Sequence, residues 1–219
     1  MNSLSAQLAQ IKRLRDIHLE CYLAFRNFEE LAQFRAPNVV GQDEAAKNAR
    51  AIGNYRYLFN SAIRSLNYAF LMHLTRLYIG ADSLTLRKLL NTIEQNPTSV
   101  ADYREIHSNQ PELLATTNEY VGMRPEDFVA ARQYLTDVEP IVQKLKHGRD
   151  NYLVHLDIKG TVPLDTTYEE LYTLIDIADK ILKLLTKQLD MRGESYHVVE
   201  QEVKLQAKAL MKLLRDAPK

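Results

Sequence analysis

Apolar residues recur at three- and four-residue steps along most of the chain, the spacing of one face of an α-helix. From Leu4 to Phe34 the run is Leu4, Leu8, Ile11, Leu14/Arg15, Ile17/His18, Tyr22, Phe25, Phe28 and Leu31/Ala32. Ala36-Pro37-Asn38 ends this first helix, because proline disfavours helical geometry at the residue before it. Val39 to Gly41 reads as a short loop. A second long helix is expected from Asp43 to Tyr78, with a stripe of Phe59, Ala62/Ile63, Leu66, Phe70, His73/Leu74 and Leu77. Gly80 stops it, and Asp82 or Ser83 caps a short helix from Leu84 to Glu94.

Residues 96–122 carry Pro97, Pro111 and several Ser, Thr and Asn, and read as short helices and loops. Pro125 suits the first position of the next helix. Its stripe is Phe128, Ala131, Leu135, Val138, Val142 and Leu145, then Arg149, Tyr152 and Leu156, in alternating steps of three and four. Pro140 lies inside the run and is expected to kink or split it. Thr166 or Thr167, with Glu169 or Glu170 three residues on, forms a capping box. The helix it opens buries Leu171, Leu174/Ile175, Ala178, Ile181/Leu182 and Leu185, and Gly193 ends it. A last helix, Tyr196 to Leu214, carries Val199, Val203, Ala207, Leu210 and Leu214. The reading is all-α: an antiparallel helical bundle over residues 1–192, and a C-terminal helix in residues 193–219 packed on the same domain.

Composition supports this and narrows the function. Seven Gly and seven Pro in 219 residues are too few for a turn-rich all-β fold. The single cysteine, Cys21, excludes an intramolecular disulfide or a cysteine metal cage; beside the first apolar stripe it reads as packing. Lys and Arg number 28, as do Asp and Glu, so no global field attracts nucleic acid. Any such contact has to be local or built by symmetry. Met1 to Gln10 lacks the pattern of a secretory signal, and the most apolar window, Leu66 to Ile79, is broken by Asn67, His73 and Arg76. A soluble, cytoplasmic protein without membrane contact is expected.

Phosphate loops, zinc spacings, EF-hand loops and hydrolase elbows are absent from the sequence, and no cofactor or metal is implied. One nonamer stands apart: Arg149-Asp150-Asn151-Tyr152-Leu153-Val154-His155-Leu156-Asp157. Arg149 takes a slot that the pattern reserves for an apolar residue. A guanidinium there is costly unless it is paired or lines a cleft. Asn151 and His155 stand four apart on one helix face, and Tyr152 is three from both Arg149 and His155. On a continuous helix Arg149 and His155 lie about 9 Å apart along the axis and roughly 120° around it, so they flank one groove. The alternative is a solvated helix end. Lys144, Lys146 and His147 just upstream suit either a solvated face or a phosphate-attracting patch.

The run Arg149-x5-His155, with Asp150 after the Arg, resembles the Arg-x(4–6)-His signature of HEPN domains. These are all-α proteins of toxin–antitoxin, abortive-infection and RNA-processing systems. With Asp157 two residues beyond the His, the nonamer resembles the abortive-infection U-type branch. Similar segments are Tyr57 to Tyr78, Asp82-Ser83-Leu84, Leu89-Leu90, Pro163 and the Thr167-Tyr-Glu-Glu-Leu helix start. The similarity spans residues 8–189 and leaves the last helix unmatched. The sequence departs from the nucleotidyltransferase-linked HEPN toxins, which end in His-x-Tyr with a modified Tyr; His155-Leu156-Asp157 implies no such regulation.

The resemblance implies a metal-independent endoribonuclease leaving a 2′,3′-cyclic phosphate. His155 would act as general acid or base and Arg149 would hold the scissile phosphate, with Asp150, Asn151, Tyr152 and Asp157 in support. It also implies a site at a two-fold dimer cleft, an RNA substrate, and a cognate antitoxin or defence partner. The alternative function is a non-catalytic HEPN-like scaffold binding RNA or a partner protein. Two weaker candidates remain: His73, which also suits a hydrogen-bonded core position, and Tyr55-Arg56-Tyr57, which suits base stacking or core and interface packing.

Overall fold

The computed structural model describes residues 3–80, 84–96, 123–150, 165–186 and 196–216. Within them the chain forms α1 (Ser3–Gln33), α2 (Pro37–Val40), α3 (Gln42–Asn54), α4 (Arg56–Tyr78), α5 (Leu86–Gln95), α6 (Pro125–Asp137), α7 (Glu139–Gly148), α8 (Tyr168–Thr186) and α9 (Tyr196–Asp216). No strand occurs among the described residues, and the fold is the all-α one that the periodicity predicts. No helix among them is long and apolar enough to cross a membrane.

The chain divides into two compact units, one of residues 1–18 and 74–191, the other of residues 19–73 and 192–219. In the first, the start of α1, the end of α4 and α5 to α8 enclose Leu14, Leu74, Leu77, Leu86, Leu89, Leu90, Leu145, Leu174 and Ile181, all buried. Each such side chain contributes about 1.5–3 kcal/mol when fully buried. Helix α8 packs on α6 and α7, and α5 packs on α6. Polar side chains tie the helices through backbone carbonyls: Gln7 Nε2 donates to Asn96 O at 2.6 Å and the Tyr78 hydroxyl to Leu174 O at 2.6 Å.

In the second unit, α3 packs on α9, and Phe34, Ala51, Ile52, Phe59, Ala207 and Met211 form one buried cluster. The Phe25 ring stands edge-on to Phe70, centroids 5.5 Å apart. The Arg26 guanidinium meets Glu29 and Glu30 on its own helix and Glu200 of α9 at 2.7 Å. Cys21 is fully buried, its thiol donating to Phe70 O at 3.4 Å. Burial pushes that thiol well above the usual range, so the packing reading of Cys21 holds.

Several boundaries differ from the expectation. The helix expected over Asp43 to Tyr78 is two helices: Tyr55, at φ −123° and ψ 30°, donates its N–H to Ile52 O and separates α3 from α4. Ile52 and Phe59 are both buried and seven residues apart, so the hydrophobic period runs unbroken through a real break. Pro37–Val40 forms one helical turn where a stop was expected, and the chain reverses at Gly41, whose φ of +86° suits a residue without a side chain. Helix α5 is capped by Thr85, whose Oγ1 accepts from the Lys88 N–H; Asp82 and Ser83 lie outside the described residues. In α9 the buried face runs Val203, Ala207, Met211, while Leu210 is exposed. A face kept by four-residue steps drifts away from Leu210, because four residues overshoot one 3.6-residue turn.

Candidate functional site

The segment that leads to Arg149 is built in two pieces. Pro140 divides the expected long helix: α6 ends at Asp137, Val138 bridges, and α7 begins at Glu139 with Pro140 in its first turn. Proline is tolerated there because a first-turn N–H needs no intrahelical acceptor. The apolar stripe survives the break, since Leu135, Val138, Val142 and Leu145 are all buried.

At the end of α7 the backbone widens into a π turn over Arg149 and Asp150. Gly148 takes the buried position on the stripe, and Arg149 sits half-buried beside it. The guanidinium is held by its neighbour: Asp150 Oδ1 accepts from Arg149 Nε at 2.7 Å and lies 2.5 Å from the second guanidinium nitrogen on the pair. Arg149 is therefore displaced from the fully buried slot that the spacing assigns to it, and it is both paired with Asp150 and at the edge of a cleft.

That cleft, of about 360 Å³, lies within the first unit. Its floor includes Leu135 and Val142, and one wall is Tyr78-Ile79-Gly80 at the end of α4. Glu139, Gln143, Lys146 and Arg149 enter from one side of α7, and Arg87 enters from the first turn of α5. Glu139 is held by Arg87 at 2.7 Å and by Gln143 Nε2 at 2.6 Å. Among the described residues, three cations therefore line the cleft with one carboxylate. The three basic residues noted upstream of Arg149 separate here. Lys144 turns to α8 and bonds Glu170 at 2.7 Å, and that bond raises its pKa and lowers that of Glu170. Lys146 lines the cleft, while His147 is exposed.

Asn151, Tyr152, His155 and Asp157 lie outside the described residues. Arg87 and Tyr78 were not singled out from the sequence. They come from distant segments, and nothing in their local pattern points to α7. Of the weaker candidates, His73 is half-buried with Nδ1 3.4 Å from Glu20 Oε2. Tyr55 and Tyr57 are exposed, and Arg56 lies over the Tyr57 ring, 4.7 Å from its centroid. His18, which shares a slot of the first apolar stripe with Ile17, lies in the core, its Nε2 2.8 Å from Ile175 O.

The chain matches the AbiU2 family of HEPN domains over residues 3–210. No curated protein and no solved structure matches it.

Proposed function

The chain belongs to the AbiU2 family of HEPN domains, and from that premise we propose that it is a metal-independent endoribonuclease acting in abortive infection or as a toxin. The observation that carries the reading is Arg149: a half-buried guanidinium, braced by Asp150, at the edge of a cleft whose described lining holds more cations than carboxylates. An always-charged planar fork in that position suits a phosphodiester whose negative charge grows during reaction.

In the proposed reaction a ribose 2′-oxygen attacks the adjacent phosphorus. The O2′–P bond forms and the P–O5′ bond breaks, leaving a 2′,3′-cyclic phosphate and a free 5′-hydroxyl. His155 takes the 2′-hydroxyl proton or delivers one to the leaving 5′-oxygen, work for which imidazole is suited near neutral pH. Arg149 stabilises the phosphoryl oxygens, and Asp150 fixes the fork. Asn151, Tyr152 and Asp157 would support His155. Two copies of the segment, one from each protomer, would supply the full set in a homodimer, with a cognate antitoxin or defence partner governing access.

Purified protein should cleave RNA in the presence of EDTA and yield cyclic-phosphate ends. His155→Ala should lower the rate about 10²–10⁴-fold and Arg149→Ala about 10²–10³-fold, with the circular dichroism spectrum unchanged. Bound RNA with no cyclic-phosphate product at high protein concentration would replace this reading with the non-catalytic scaffold.

A further inference from the structure

Beyond Arg149, the cleft holds two cations that the proposed chemistry does not use. Arg87 stands on the first turn of α5, and Lys146 stands one helical turn before Arg149 on α7. Lys146 has no ion-pair partner among the described residues. Arg87 pairs with Glu139, but both side chains are about half exposed, at 57% and 41%. Such a surface pair contributes little and exchanges readily for a better anion. Glu139 retains a second partner in Gln143, so releasing Arg87 does not strand the carboxylate.

The cleft is a groove of ligand size. Its apolar floor of Leu135 and Val142 leaves the charges on the rim, where they track a backbone rather than read bases. The Tyr78 hydroxyl is tied to Leu174 O, which anchors the tyrosine at the wall of the cleft. A basic groove with an aromatic residue at its side is an arrangement that single-stranded nucleic acid sites use. Net protein charge is zero, so these local cations are what a polyanion would feel at close range.

We propose that Arg87 and Lys146 form a phosphate-tracking subsite that holds the single RNA strand running up to Arg149, engaging phosphodiesters next to the scissile one. The subsite rests on the ribonuclease reading for the identity of its strand, and on the cleft alone for its phosphate binding. It predicts that affinity and cleavage chemistry respond to different residues of one groove.

The test uses the full-length protein and a fluorescent 2′-O-methyl hexaribonucleotide, which offers no 2′-hydroxyl for attack and so reports binding without cleavage. Anisotropy titrations across a salt series should show binding. Lys146→Gln and Arg87→Gln should each weaken it about three- to tenfold, and each should reduce the salt slope by about 0.7. With a cleavable RNA the same variants should raise KM and leave kcat near wild type. Lys144→Gln, which removes a charge directed at α8, should change neither and serves as the folding control. Unchanged affinity and slope in both cleft variants would overturn the subsite even if the protein cleaves RNA. Lys146-dependent binding without any cleavage would uphold it while removing the ribonuclease reading. Displacement of the oligomer by an equimolar mononucleotide would overturn the strand, assigning the site to a free nucleotide.

Discussion

His18 shows how a single side chain couples this fold to pH. It lies in the core of the first unit with Nε2 on the Ile175 carbonyl. Desolvation lowers its pKa from 6.5, against the smaller opposing effects of the Ile175 hydrogen bond and of Asp179 and Asp176, with Lys183 adding to the lowering. The folded state therefore holds His18 neutral, while the unfolded chain takes up a proton below about pH 6.5. The stabilisation is complete above the unfolded pKa and is lost as pH falls towards the lowered folded one. In that window stability should fall by up to about 1.4 kcal/mol per pH unit from this group. Urea denaturation at pH 7.5, 6.5 and 5.5 measures it. His18→Asn should flatten that part of the pH profile, and an unchanged slope would assign the dependence to other groups. Arg149 makes a contrasting case: it is half-buried, and its ion pair with Asp150 offsets the cost of that partial burial. Cys21, deep in the second unit, has neither the exposure nor the thiolate character for chemistry.

At the scale of elements, the sequence is most readable where a local interaction fixes the boundary. The capping box is the clearest example. Thr167 and Glu170 satisfy each other's backbone N–H, with Glu170 N donating to Thr167 Oγ1 at 3.2 Å and Thr167 N to Glu170 Oε2 at 2.9 Å. Thr167→Ala should destabilise the protein by about 1 kcal/mol, read as a lowered urea midpoint at constant m-value. Thr167→Asn should recover most of it. Pro140 is equally local, and it divides α6 from α7 as its missing N–H requires. The break at Tyr55 was not legible from periodicity, because Ile52 and Phe59 keep phase across it. The Gly53-Asn54 pair just before it is the signal that marks a helix end. The candidate site divides in the same way. Arg149 was visible because a charge interrupts an apolar stripe, a one-dimensional anomaly. Arg87 and Tyr78 became neighbours of α7 only through tertiary packing of α4 and α5, which no spacing rule encodes.

At the scale of the molecule, the two units differ in what holds them. The first is packed mainly by leucines from the start of α1, the end of α4 and α5 to α8, and carries the cleft. The second depends on α9, which returns from the far end of the sequence to cover Phe34, Ile52 and Phe59 with Ala207 and Met211. It also supplies Glu200 to Arg26 and Arg215 to Glu44. A core completed by one terminal helix is a natural unit of local opening, because losing that helix exposes it. Met211 is 1% exposed, and Met211→Ala should cost about 2–5 kcal/mol by the cavity it leaves. Hydrogen exchange followed by mass spectrometry locates that loss. Amides of α3, α9 and the first turn of α4 should exchange faster in the variant, while those of α6, α7 and α8 around the cleft keep their protection. Acceleration spread evenly over both units would show that they open as one cooperative body. Confinement to the second unit would mean that α9 sustains its own core while the cleft-bearing helices stand on theirs, leaving RNA affinity in the anisotropy assay at the wild-type value.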